Sequence, residues 1–356
     1  MTITHVIFSF NTGGAELLVS DIMAEQIKAG HRVNLLVINN LYEESLLKKL
    51  HPEINVILVD RPEGSRNPWW IFRYNMLLRR TRPDVVHFHQ TKSAYITPKW
   101  PGVKFVVTIH GLEETPRPHP KRIDIVFAIS KAVKADLRKR YDIDSLVVPN
   151  GIVCHKITPK SDFDEVYDKK FGRPLRIVAI GRLRHTVKGQ DLAVMAIARL
   201  REMKIDTTLD LIGDGVSEEY LRQLAVDCGV KDKVNFRGNC SRDDIYSTLH
   251  NYDILLLPSR LEGFGLVIAE AMAAKVPVVV CDIEGPMEVI DWNRYGKSYK
   301  CGDVNSMVAA IVDVAENYSR YSSLAENDAF KHVYKNYDIS HTAAEYLAYY
   351  NKIREL

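Results

Sequence analysis

The sequence predicts an α/β protein built as two doubly wound domains, each a parallel sheet with helices on both faces. Three observations carry this. At 356 residues the chain is longer than one comfortable core and suits two domains of about 150 to 180 residues. Short apolar runs of strand length alternate with segments of helical periodicity along most of it. A polar tract rich in lysine and aspartate, 154–174, interrupts the alternation before a second series begins. The expected division is an N-terminal domain at 1–160, a linker at 161–174, a second domain at 175–336 and a closing helix at 337–356.

Taken in order, residues 3–10 read as an apolar strand, and Asn11-Thr12-Gly13-Gly14-Ala15-Glu16 turns it into a helix ending near Gly30. This glycine turn is not G-x-G-x-x-G, so the fingerprint of a nicotinamide or flavin site is missing. Strands follow at 32–38, 55–60, 85–89, 104–110, 124–130 and 146–149. Ligands of such sheets bind beyond the carboxyl ends of the strands, where Thr108-Ile109-His110-Gly111 places His110. A histidine there serves either as a structural hydrogen-bonder or as a site residue. The second series opens at 175–180, followed by Gly181-Arg182-Leu183 and then Lys188-Gly189 at the start of a helix. Arg182 and Lys188 read either as solvated cations or as a pair that offsets an anion. Strands at 209–212 and 234–238 follow, the first leading into Gly213-Asp214-Gly215 and the second into Asn239-Cys240. After the strand at 253–257 come a glycine loop and a helix, then a strand at 276–282 and helical segments to the end.

The most informative stretch is Pro258-Ser259-Arg260-Leu261-Glu262-Gly263-Phe264-Gly265-Leu266-Val267-Ile268-Ala269-Glu270-Ala271-Met272-Ala273-Ala274. From Leu266 onward every side chain but Glu270 is apolar, so the helix should be largely buried and Glu270 should have a specific partner. The N–H groups of Gly265, Leu266 and Val267 point out of the helix start, where an anion can settle. With a diphosphate there, Glu270 would lie about 6 Å deeper, suited to two ribose hydroxyls. Glu262 would meet what hangs from the outer phosphate. The competing reading is a plain strand-turn-helix with Glu270 in a structural salt bridge and Glu262 solvated.

Glutamate, seven residues and a second glutamate, within Pro-Ser-x-x-Glu-Gly-Phe-Gly-Leu, resembles the EX7E signature of the retaining glycosyltransferases of family 4. The resemblance implies the GT-B fold: two Rossmann-like domains facing across a cleft. Carried over by position, it assigns ribose binding to Glu270 and the sugar to Glu262. Gly-Arg-Leu…Lys-Gly is similar to the family's diphosphate clamp, with Arg182 and Lys188 as the cations. Gly14, in Gly-Gly-x-Glu, and His110, in Thr-x-His-Gly, would face donor sugar and acceptor, and Asn239 and Cys240 would lie near the base. In similar enzymes the closing helix crosses back to the first domain. The implied activity is a retaining, metal-independent transfer of a hexosyl unit from a nucleotide sugar, UDP- or GDP-linked, to a sugar or lipid-linked glycan acceptor in polysaccharide or glycoconjugate biosynthesis. The nucleotide sugar is a substrate, and no cofactor is implied. Two other readings stay open: a sugar-nucleotide epimerase of the same fold, and a catalytically silent nucleotide-sugar-binding protein.

Composition narrows the setting. Formal net charge is +3, with 25 Lys+Arg against 19 Asp+Glu in residues 1–171, so the first half is the basic one. Residues 68–80 set Trp69, Trp70, Phe72 and Tyr74 among arginines at helical spacing, and 131–140 holds five cations. The first reads as a core-facing helix with solvated arginines or as an interfacial helix on anionic lipid. No nucleic-acid motif accompanies the charge. Cys154, Cys228, Cys240, Cys281 and Cys301 form no C-x-x-C pair and read as reduced thiols without a zinc site. No run approaches a membrane span and no signal-peptide pattern opens the chain, so the expected location is the cytoplasm, with peripheral contact at the inner membrane face as a further expectation. Asp142-Ile143-Asp144 and Asp162-Phe163-Asp164 match the Asp-x-Asp metal pair literally, but both fall outside the second-domain strand ends and read as solvated loop carboxylates.

Overall fold

The structure is a computed structural model that describes residues 1–11, 13–112, 122–161 and 173–355. The expected linker at 161–174 and Asp162-Phe163-Asp164 fall almost wholly outside these residues. The chain divides into two compact units: Met1–Gly151 with Asp338–Leu356, and Ile152–Tyr337.

In the first unit seven strands lie parallel: β1 (Thr2–Ile7), β2 (Arg32–Asn39), β3 (Asn55–Arg61), β4 (Val85–Phe88), β5 (Lys104–Ile109), β6 (Ile125–Ala128) and β7 (Leu146–Val147). Their order is β3-β2-β1-β4-β5-β6-β7. Most side chains of the central strands are apolar because helices cover both faces, and Val6, Val37, Phe88 and Val107 are fully buried. The chain winds outward from β1 to β3, then returns to the other side of β1 as β4, so a crevice must open at the carboxyl ends of β1 and β4. β1 stops at Ile7, three residues short of the expected end. Phe8 leaves the sheet to donate its N–H to Gln90 Oε1 at 3.0 Å. The helix Ile339–Arg354 starts on Asp338, whose side chain accepts from Ser340 N–H, and buries Tyr346 and Tyr350 against this unit.

The second unit repeats the plan with β8 (Leu175–Ile180), β9 (Thr207–Ile212), β10 (Val234–Gly238), β11 (Ile254–Leu257), β12 (Val278–Cys281) and β13 (Lys297–Tyr299), all parallel, in the order β10-β9-β8-β11-β12-β13. The reversal here falls between β8 and β11. β13 was not expected. As a three-residue edge strand, Lys-Ser-Tyr, it has no apolar run to betray it, and only its pairing with β12 defines it. The helix Trp69–Arg80 of the first unit also departs from a purely core-facing reading. It buries Tyr74 and Leu78 but leaves Trp69 and Phe72 53% and 59% exposed.

Candidate functional site

In the second unit the expected residues collect at the β8/β11 reversal. Glycines make this possible. Gly189 sits at φ +66°, and a Cβ added there would lie 1.8 Å from the carbonyl oxygen of Pro258, so the turn after Lys188 packs backbone to backbone on the end of β11. Arg260 then clamps the two segments. Its guanidinium donates to both carboxylate oxygens of Asp191, at 2.7 and 2.8 Å, and to the carbonyl of His185 at 2.7 Å. The backbone N–H of Arg260 reaches the carbonyl of Val187 at 2.8 Å. Thus Lys188 and Glu262 meet, with Nζ 2.6 Å from Oε2. The lysine is 31% exposed and the glutamate 16%, so the pair is shielded but open on one side.

The helix Leu266–Ala273 begins on Gly265, at φ +94°, without a side-chain cap, so its first-turn N–H groups keep their capacity for an anion. Glu270 is half-buried rather than enclosed, and its partner is Tyr246, whose hydroxyl donates to Oε1 at 3.2 Å. Arg182 is exposed at the end of β8, and its carbonyl accepts from Gln190 at 2.9 Å. Asn239 is exposed after β10, and Cys240 is half-buried beside it. The structure therefore joins Lys188 to Glu262 directly, sets Arg182, Asn239 and the uncapped helix at strand ends of one sheet, and gives Glu270 a tyrosine. Arg260, Asp191 and Tyr246 were not singled out from sequence. Arg260 lies inside the signature stretch, but its partner is 69 residues away, and nothing local marks the pairing.

Gly14 and His110 belong to the first unit. Gly14 opens the helix Gly14–Lys28, and His110 follows β5. Here the structure adds a cluster that went unread. β1 and β4 place His5 opposite His87, and the two-residue period of β4 puts His89 on the same face. All three are buried. Gln26 Oε1 lies 2.8 Å from His5 Nε2, His5 Nδ1 2.9 Å from His89 Nε2, and His89 Nδ1 3.0 Å from His110 Nε2. Each neutral imidazole has one donor and one acceptor, so the relay has a single direction. With the Gln26 carbonyl as acceptor, His5, His89 and His110 all carry their proton on Nε2. His87 bridges Thr108 at 2.7 Å and Tyr350 at 2.6 Å. Burial lowers every one of these histidines: His5 and His110 to about 4, His87 and His89 well below the ordinary value. Three clustered histidines invite a metal reading. However, every ring nitrogen of His5, His87 and His89 already has a hydrogen-bond partner, and 2.9 Å between two of them is shorter than the roughly 3.3 Å that tetrahedral ligands at 2.0–2.1 Å would span.

His89 and His110 form part of the wall of a cavity of about 940 Å³ at the β1/β4 crevice. Phe8, Ala15, Asn39 and Gln90 contribute to the same wall, together with Arg61, Arg66 and Lys92.

Comparison with known proteins agrees with this geometry. A family model described as Glycosyl transferases group 1 matches residues 162–329, and one described as Glycosyltransferase Family 4 matches residues 12–156. The N-acetyl-alpha-D-glucosaminyl L-malate synthase of Bacillus anthracis is 23% identical over 384 residues, covering 97% of this chain and 96% of that protein. The GDP-mannose-dependent alpha-(1-6)-phosphatidylinositol monomannoside mannosyltransferase of Mycobacterium tuberculosis is 32% identical over 195 residues, 53% of this chain and only 43% of the relative's length. Among solved structures, Anabaena HepE in complex with UDP and glucose superposes with a TM-score of 0.82 at 19% identity, covering 99% of this chain and 100% of that one. A glycosyltransferase from Rickettsia africae ESF-5 gives 0.79 at 21%, covering 99% and 98%. Together with the two parallel sheets, these likenesses establish the GT-B fold.

Proposed function

Because this chain is a glycosyltransferase of the group 1/family 4 kind, we propose that it is a retaining, metal-independent enzyme that moves a hexosyl unit from a UDP- or GDP-linked donor to an acceptor hydroxyl in polysaccharide or glycoconjugate biosynthesis. The observation that carries this is the Lys188–Glu262 pair beside the uncapped start of the helix that bears Glu270. A leaving nucleoside diphosphate gains charge as the glycosidic bond lengthens. Lys188, Arg182 and the N–H groups of Gly265, Leu266 and Val267 offset that charge, and fixed donors need no reorganisation as it grows. Binding the diphosphate draws Lys188 away from Glu262, which frees the carboxylate to hold the sugar. Glu270, oriented by Tyr246, takes the ribose hydroxyls. Asn239 and Cys240 meet the base through the backbone, and Gly14 and His110 are assigned to the sugar and acceptor by resemblance. Attack comes from the leaving-group face, with a phosphate oxygen accepting the acceptor's proton, since no further carboxylate has been assigned as nucleophile.

Metal independence follows from the same charges. Asp142 and Asp144 pair loosely with Arg138 at 3.3 Å and Lys134 at 3.5 Å and are 88% and 80% exposed, as solvated loop carboxylates are. Among the described residues no helix is long and apolar enough to cross a membrane; we place the enzyme in the cytoplasm. The test is donor turnover. Glu262→Gln should bind UDP or GDP as well as the parent and lose transfer, whereas Glu270→Gln should lose nucleotide affinity. Equal loss of nucleotide affinity in both would refute the assigned roles. Conversion of donor to a new nucleotide sugar without acceptor would make the enzyme an epimerase instead.

A further inference from the structure

The cavity of the first unit has a charge pattern that the transfer reaction alone does not require. Arg61, Arg66 and Lys92 stand on its wall, and among the described residues no aspartate or glutamate lines it. Arg61, at the end of β3, is held in place by Asn39 Oδ1 at 2.8 Å and by the carbonyl of Ser65. Arg66 and Lys92 are exposed, and among the described residues neither makes an ion pair with a carboxylate. Like charges around one concavity repel unless an anion joins them, and the low-dielectric walls concentrate their field on whatever enters. Deeper in the cavity lie His89, whose two ring nitrogens are taken by His5 and His110, and His110, both kept neutral by burial and adding no charge.

One side of the cavity is apolar. Ile71 lines it from the first turn of the helix Trp69–Arg80, and on that same turn the rings of Trp69 and Phe72 lie tilted against each other at 5.4 Å between centroids, both exposed to water. A cationic wall, a neutral floor and an apolar rim select for a ligand with an acidic group and a less polar flank.

We propose that this cavity is the acceptor site and that its ligand is an acidic acceptor, a phosphate-bearing hydroxyl compound whose charge is taken by Arg66 and Lys92 beside the fixed Arg61. The acceptor role rests on the transferase reading above; the ligand class rests on the cavity. The phosphate can belong to a small soluble molecule or to a lipid headgroup, and in the second case Trp69 and Phe72 lie at the membrane surface.

Two probes share the glycerophosphate group and differ in source: glycerol 3-phosphate, followed by calorimetry, and vesicles of phosphatidylglycerol with phosphatidylcholine, followed by flotation at low salt. Wild-type chain should bind at least one of them and should ignore glycerol and pure phosphatidylcholine. Arg66→Gln with Lys92→Gln, both at exposed positions that folding tolerates, should weaken that binding by about tenfold or more, the equivalent of 1.4 kcal/mol. Binding of glycerol 3-phosphate supports a soluble acceptor. Binding of vesicles alone, weakened further by Trp69→Ser with Phe72→Ser, supports a lipid-linked one. Failure of both probes, or binding that the Gln pair leaves intact, overturns the proposal. UDP and GDP titrated into the same preparation separate the two readings. Nucleotide binding without anion binding refutes the cavity's ligand class alone. Anion binding without nucleotide binding refutes the transferase mechanism and leaves the ligand class standing.

Discussion

Acidification should unfold the first unit before any carboxylate chemistry explains it. His5 and His110 have folded values near 4 against an ordinary 6.5, because their rings are out of water. The unfolded chain therefore takes up protons first as pH falls. Stability is complete above about pH 6.5, declines below it, and stops declining only near pH 4, where the native rings protonate as well. At pH 5 each of these two histidines costs about 2 kcal/mol, from RT times the logarithm of the ratio of the two binding polynomials, and together they cost about 4 kcal/mol. His87 and His89, shifted further in the same direction, add to this. Around them stand Gln26, Thr108, Tyr346 and Tyr350, none of which offers a negative charge to stabilise an imidazolium. A loss of this size is a large share of the roughly 5–15 kcal/mol that holds a domain together. The assay is hydrogen exchange at pH 7.5 and 5.0, corrected for intrinsic rate, with β1 and β4 peptides of the first unit read against β8 and β11 of the second, since one global midpoint would blur two units. β1 and β4 should lose protection selectively at pH 5.0, and His5→Gln should shrink the pH dependence by about one histidine's share. Equal protection of β1 and β4 at both pH values would refute the neutral relay.

Three further outcomes follow from the second unit. Lys188→Ala and Arg182→Ala should each weaken UDP or GDP binding by roughly 1.5–3 kcal/mol, the range for charged hydrogen bonds, and unchanged affinity in both, measured by calorimetry, would dissolve the proposed clamp. Gly189→Ala should abolish nucleotide binding even though it removes no contact, because its Cβ would occupy the space of the Pro258 carbonyl; a variant with normal affinity would show that the Lys188 turn is not held there. Turnover should persist in excess EDTA, and activity lost on chelation and restored by Mg²⁺ or Mn²⁺ would contradict leaving-group stabilisation by Lys188, Arg182 and the helix start.

What was legible in the sequence depended on how far apart the partners lie along the chain. Strand runs and the glycine turns between them are local signals, so both parallel sheets could be drawn from composition and period, and Glu262, Gly265 and Glu270 share one short stretch. The contacts that orient those residues are not local. Arg260 needs Asp191, and Glu270 needs Tyr246, pairs that only the folded sheet order brings together. β13 was missed because an edge strand buries too little to need an apolar run.

The histidine relay is the instructive case, because part of its signal was present. His87-Phe88-His89 in a strand that should be apolar on both faces violates the pattern of a central parallel strand, and such a violation must be compensated by hydrogen bonds. Read that way, the strand itself asks for polar partners on one face. It does not say which, since His5 and Tyr350 come from 84 and 263 residues away along the chain, and only the β1–β4 register and the covering helices select them. The relay also explains why His110 belongs to the cavity as a neutral, oriented ring. Its Nε2 proton is committed to His89, so a change at Gln26 is transmitted through three hydrogen bonds to a ring that lines the cavity. Each neutral ring in the relay donates once and accepts once, which makes the least conspicuous residue in it, Gln26, the one that sets the direction of all the others.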